Sequence, residues 1–175
     1  MIRKALMPGS NNEVKNLGLV DTPQLTRLGS LINKLTNVRL KSVMLRVMHG
    51  DIYCASRMKK FGMTDNDQCP RCLQEETTEH MILTCGYVKK IWDLISSLTS
   101  IPHVTIKTIL GYDPKHDKTT LTLNAEIIRQ LMAIERPTID PLVLVQNTIK
   151  RLTIVERGIT KYQINKFLEA IKPVF

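Results

Sequence analysis

Three cysteines and one histidine fall within 17 residues, in the pattern Cys69-x2-Cys72-x7-His80-x4-Cys85. Three thiolates and one imidazole complete a four-coordinate shell of the kind zinc takes in structural sites. Soft sulfur together with imidazole selects Zn2+ over magnesium or calcium. A full protein shell leaves no position for water or substrate, so the expectation is one structural zinc and not a catalytic one. Pro70-Arg71 between the first pair predicts a tight turn that aims both sulfurs at one ion, with backbone amides turned toward the thiolates. The competing reading, four buried free thiols and an ordinary histidine, is weakened because the complete set sits in a polar, turn-rich stretch over 64–77. Disulfides are not expected, since a reducing compartment is the default for this composition. Cys54 lies outside the set and reads as a partly buried free thiol. His49, His103 and His116 are not grouped with other ligands, and no site is assigned to them.

The elements that must position these ligands are helical. Thr22-Pro23 is a helix start, with Asp21 or Thr22 as cap, and Leu25, Leu28, Ile32 and Leu35 form one apolar stripe over 23–36. A second helix is predicted over 38–49 and a short one over 54–61. Arg27, Lys34 and Lys41 are seven apart and would share a face if the helix were unbroken. Thr77 is placed to cap a short helix that carries His80, with Cys85 near its end. Val88, Ile91, Trp92, Ile95 and Leu98 line one face of a helix over 86–99, which Pro102 closes. Val104-Thr105-Ile106 reads as a possible strand and 114–117 as a loop. Further helices are predicted over 123–135, 140–157 and 160–172, where Ile127, Ile128, Leu131, Leu142, Val145, Ile149, Leu152, Ile164 and Leu168 are expected to close the domain's own core. Pro8-Gly9-Ser10-Asn11-Asn12 marks 1–20 as a tail or linker. The expected organisation is a tail over 1–20, a basic helical segment over 21–63, a zinc lobe with the Trp92 helix over 64–100, and a helical segment over 101–175. The fold class is mostly α, built around one small zinc knuckle.

Charge then indicates a partner. The net charge is +9 and the isoelectric point about 9.5. Residues 1–61 hold 11 Lys/Arg against 3 Asp/Glu, residues 62–100 hold 3 against 6, and residues 101–175 hold 11 against 7. The surplus is concentrated ahead of the cysteines and points to a polyanion, with nucleic acid ahead of an anionic membrane. No apolar run approaches the ~18 residues of a membrane span. Met1-Ile2-Arg3-Lys4 lacks the apolar segment of a secretory leader. Arg39, Lys41, Arg46, Arg57, Lys59, Lys60, Arg71, Lys89 and Lys90 are the candidate nucleic-acid contacts. Exposed charges that only keep the chain soluble are the alternative for each of them.

The zinc motif and its flanks carry a wider resemblance. Leu45-Arg46-Val47-Met48-His49-Gly50-Asp51-Ile52-Tyr53 is followed by Arg57-Met58-x2-Phe61-Gly62-Met63. Then come Cys69-Pro70-Arg71-Cys72, Glu76-Thr77-x-Glu79-His80-Met81-Ile82-Leu83-x-Cys85 and Ile91-Trp92. From about residue 39 to 94 this order resembles the Cys-Cys-His-Cys zinc-binding region that follows the polymerase in non-LTR (LINE-type) retrotransposon reverse transcriptases. The remainder matches only loosely, as the variable C-terminal tail of such a protein. The resemblance implies that Cys69, Cys72, His80 and Cys85 hold the metal and that Trp92 packs against the zinc lobe. Glu79 reads as a local cap or a solvated charge.

The resemblance also implies a role: holding element RNA or target DNA during target-primed reverse transcription, beside the polymerase part of a parent protein. It places the chain inside the cell, in nucleus and cytoplasm, as a ribonucleoprotein. No membrane partner is expected, and the oligomeric state is left open. The chain has no Asp-Asp pair and is too short for a polymerase. A restriction-like nuclease would want Pro-Asp followed by an acidic-x-Lys triplet around a metal. Asp113-Pro114-Lys115 is the nearest match and lacks the preceding Pro-Asp, so no enzyme is expected. The alternative function is a zinc-stabilised interaction module that docks on the polymerase or a host protein, with the chain as a domesticated stand-alone gene.

Overall fold

The computed structural model describes residues 22–113, 116–133 and 138–171. The expected tail over 1–20, the proposed cap Asp21 and Pro114-Lys115 of the Asp113–Lys115 triplet lie outside them. Among the described residues the chain is helical, with a single isolated bridge between Gln68 and Glu75 as its only extended pairing. The helices are α1 (Thr22–Asn33), α2 (Val38–Met48), α3 (Ala55–Lys60), α4 (Gly86–Thr99), α5 (Ile106–Ile109), α6 (Lys118–Leu131), α7 (Pro141–Val155) and α8 (Lys161–Ala170), with a π-helical turn over His80–Thr84.

Local chemistry sets the boundaries. Asn37 caps α2 by accepting from the amides of Arg39 and Leu40. This break separates α1 from α2, so Arg27, Lys34 and Lys41 do not lie on one continuous helix. α4 ends at Ser100, which takes a left-handed conformation at φ 55, two residues before Pro102. The expected strand at 104–106 is instead a helix start: the Thr105 and Thr108 side chains cap each other's backbone amides and open α5. Asp117 caps α6 and starts it five residues ahead of the predicted 123. Asp140 with Pro141 starts α7, and a Thr160–Gln163 capping box starts α8.

One apolar core runs through these helices. α6 is the central one. It packs on α2, α7 and the π turn, and every residue from Thr119 to Ile128 is buried. Its polar side chains therefore need partners inside. Thr122 donates to the Lys118 carbonyl at 2.7 Å, and Glu126 holds Arg129 in a two-pronged pair. Asn124 Nδ2 donates to the Ile109 carbonyl at 2.8 Å and lies 3.1 Å from His103 Nε2. The imidazole of His103 stacks parallel on Trp92, with ring centroids 5.6 Å apart, and meets His116 edge-on. Trp92 Nε1 donates to the Ile82 carbonyl at 2.8 Å, which fixes α4 to the π turn. Of the histidines to which the sequence assigns no site, His103 is a core piece and His116 lies half-buried against it.

His103 is built in as a neutral ring. Nδ1 lies 2.7 Å from the Ile101 carbonyl and so carries the proton, while Nε2 accepts from Asn124. Burial pushes its pKa down from 6.5 to about 4. The unfolded chain then takes up the proton first, so this stability is present above pH 6.5 and lost as pH falls toward 4. Urea unfolding of zinc-saturated protein at pH 7.5 and pH 5.0 tests this. Wild type is expected to lose about 2 kcal/mol more than His103→Gln over that interval. Equal losses in the two proteins would show that His103 is not the titrating core group.

Candidate metal centre

The first ligand pair sits on a miniature hairpin. The Cys69 amide donates to the Gln74 carbonyl at 2.7 Å, and the Leu73 amide to the Cys69 carbonyl at 2.8 Å. Closing so short a turn needs a left-handed residue just after the second cysteine, and Leu73 supplies it at φ 62. A side chain there costs on the order of 1–2 kcal/mol against glycine. Leu73 is also 70% exposed.

The second pair sits on the π turn. Thr77 Oγ1 accepts from the His80 amide at 3.1 Å, as the sequence suggests. The Cys85 amide then reaches back to the His80 carbonyl at 3.0 Å, an i to i+5 bond. The wider turn lays Cys85 back over His80, which is what the four-residue gap between them requires.

The two halves meet. One ligand atom from each of Cys69, Cys72, His80 and Cys85 lies within 4.8 Å of all the others. Cys69 Sγ and Cys85 Sγ are 4.0 Å apart, and Cys72 Sγ and His80 Nε2 are 3.1 Å apart. A tetrahedron with Zn–S bonds of about 2.3 Å has sulfur–sulfur edges of about 3.8 Å, so the spacing fits zinc. Cys69, His80 and Cys85 are buried and Cys72 is exposed. Burial pushes the Cys69 thiol up to about 11, against the pull of the Arg71 and Cys72 backbone amides. A buried sulfur of this kind becomes a thiolate when a cation replaces its proton. The donor set and its geometry make this a closed site for one structural zinc. Among the described residues no other group of three or more His, Cys, Asp or Glu side chains comes together this way. Cys54 is buried beside Ser56 and Thr78, outside the shell.

One further residue of the site carries no ligand signature. Glu76 is buried. Its carboxylate accepts from the Ala55 amide at 3.1 Å and its carbonyl from the Ser56 amide at 3.2 Å. α3 has no side-chain cap of its own at Cys54, so Glu76 supplies it from the metal loop. The signal in the sequence was negative: a helix start lacking Ser, Thr, Asp or Asn has orphan amides that something must satisfy.

The candidate nucleic-acid contacts separate into two groups. Arg39, Lys60, Lys89 and Lys90 are exposed and Lys41 is half-exposed. The others are engaged within the fold. Arg57 pairs with Asp51 at 3.2 Å and donates to the Gly50 carbonyl at 2.7 Å. Lys59 pairs with Asp67 at 2.8 Å. Arg46 donates to the Asp51 carbonyl at 3.0 Å. Arg71 lies over the Tyr87 ring, 4.8 Å from its centroid. Glu79 is exposed.

Fold and site together define a class: a helical domain organised around one Cys3His zinc. Residues 22–92 match the family of zinc-binding regions in reverse transcriptases, so this part of the chain is similar to a zinc module associated with those enzymes. No curated protein and no solved structure matches the chain. No helix among the described residues is long and apolar enough to cross a membrane.

Proposed function

We propose that this chain is a non-catalytic nucleic-acid-binding domain of the non-LTR retrotransposon type, holding RNA or target DNA during target-primed reverse transcription. The observation that carries this reading is the extent of the family match. It spans the zinc shell and also the basic helices α1 to α3 ahead of it. That segment carries Arg39, Lys41, Arg46, Arg57, Lys59 and Lys60, the charge a phosphate backbone would meet. Zinc sets the lobe, Glu76 ties the lobe to α3, and the lysines and arginines meet phosphates. Contacts of that kind position a strand without reading its bases. The polymerase part of a parent protein is the proposed protein neighbour, within an intracellular ribonucleoprotein of nucleus and cytoplasm.

Fluorescence anisotropy of the zinc-loaded protein with single-stranded RNA, single-stranded DNA and duplex DNA tests the reading across a salt series. If Arg39, Lys41, Lys60, Lys89 and Lys90 all meet phosphates, the log–log slope against salt on a single strand is expected near −3.5, from about −0.7 per contact. Absence of binding at low salt would overturn the reading and leave a protein-docking module.

A further inference from the structure

The turn between α2 and α3 carries a second feature that phosphate binding does not require. Gly50 reverses the chain at φ 65, and the turn's backbone and Asp51 hold Arg46 and Arg57 in place. The Arg46 guanidinium lies 5.5 Å from the Tyr53 ring centroid. Arg57 lies 5.9 Å from Tyr53 and 5.8 Å from Phe61. Arginine and aromatic ring alternate across four side chains. Yet Tyr53 is 42% exposed and Phe61 48% exposed, so the core does not account for either ring.

The ladder continues into a groove along the outer face of α2. Val38, Lys41, Ser42, Leu45, Arg46, His49 and Asp51 line it, with a volume of about 270 Å3. Arg46 belongs to both. Val38 is 76% exposed at the far end. Residues 38–61 contain six Lys/Arg and one acidic residue, Asp51. That aspartate is already spent on Arg57. The surface therefore combines surplus positive charge, planar cations held in place and exposed ring faces.

We propose that this ladder and groove form a binding surface for single-stranded nucleic acid, with bases stacking at Tyr53 and Phe61 and the backbone running along α2. Charge complementarity selects a polyanion. The rings select one whose bases are free, because a duplex keeps its base faces stacked inside. Base–aromatic stacking contributes about 1–3 kcal/mol per base and tolerates any base, and arginine adds cation–π attraction. The inference rests on the nucleic-acid reading above and specifies which strand form it takes and where.

The probes are a short oligouridylate, a short oligothymidylate and a short DNA duplex, each with zinc-loaded protein. Tyr53→Ala and Phe61→Ala are each expected to weaken single-strand binding about tenfold. The salt slope should stay unchanged, because no charge is removed, and duplex binding should stay as in wild type. Tyr53→Leu and Phe61→Leu keep apolar bulk without a ring face and are expected to lose the same affinity, while Tyr53→Phe retains it. Zinc content and melting temperature report that each variant is folded. Wild-type binding with a normal salt slope but no effect of the ring variants would overturn this inference and leave the phosphate-binding reading intact. Failure of wild type to bind any of the three probes would overturn both.

Discussion

Replacing Cys72 with Ser is expected to abolish stoichiometric zinc binding and to unfold at least residues 64–95. Structural zinc contributes roughly 10–16 kcal/mol in small sites, as much as the whole stability of a typical domain. The damage should not stop at the hairpin. His80 and Cys85 anchor the π turn, whose Met81 and Ile82 are fully buried and whose Ile82 carbonyl holds Trp92. Trp92 in turn stacks on His103 against α6. On the other side, Glu76 leaves the amides of Ala55 and Ser56 unsatisfied once the metal loop goes. Metal counting by mass spectrometry, with amide exchange over 64–95, checks this, and chelation of the wild type should have the same effect. A metal-free variant with wild-type exchange protection and melting would sink the structural role of the site.

The second large effect is expected far from the metal. Glu156 is 1% exposed and closes the corner between α1 and α2. It accepts from the Thr36 amide at 2.8 Å, the Asn37 amide at 2.9 Å and the Thr36 hydroxyl, and pairs with Lys118 at 2.9 Å. Glu156→Ala is expected to cost about 3–5 kcal/mol, since it strands the Thr36 and Asn37 donors and leaves the Lys118 ammonium only the Arg157 carbonyl. A loss below about 1 kcal/mol in urea unfolding would show that the corner does not depend on this group. The same carboxylate sets a pH limit. Burial alone would raise its pKa, but the donations from Thr36, Asn37 and Lys118 outweigh that and hold it below the ordinary value. Its contribution is therefore present above the ordinary Glu value of about 4.3 and lost as pH falls below it. That window lies beneath the one in which His103 titrates.

The metal shell was the most legible part of the sequence, because ligand chemistry restricts both residue type and spacing. Helices with a one-sided apolar stripe, such as α4 with Val88, Ile91, Trp92 and Ile95, were legible for the same kind of reason. Side chains whose role depends on distant partners were not. Glu76 and Glu156 are single carboxylates in polar segments, and nothing local distinguishes them from solvated charges. Thr105 favours a strand by its β-branching, yet its hydroxyl caps α5. The buried Thr, Asn and Glu of α6 resemble a polar face until α2, α7 and the π turn surround that helix. Among the basic candidates, type alone could not separate Arg57, engaged by Asp51 and Gly50, from the exposed Arg39.

Glu156 meets Thr36 across 120 residues of chain, whereas the outer zinc ligands are 16 residues apart. These separations impose an order of maturation during synthesis. The metal lobe has all its ligands as soon as Cys85 is made, and a closed loop that short forms quickly. At about 5–20 residues per second, the carboxylate that locks the α1–α2 corner arrives roughly 6–24 s after Thr36. A growing chain thus passes through a stage with its metal-bound centre formed and its N-terminal corner unfastened. The residue that closes α7 thus fastens a corner synthesised 120 residues earlier.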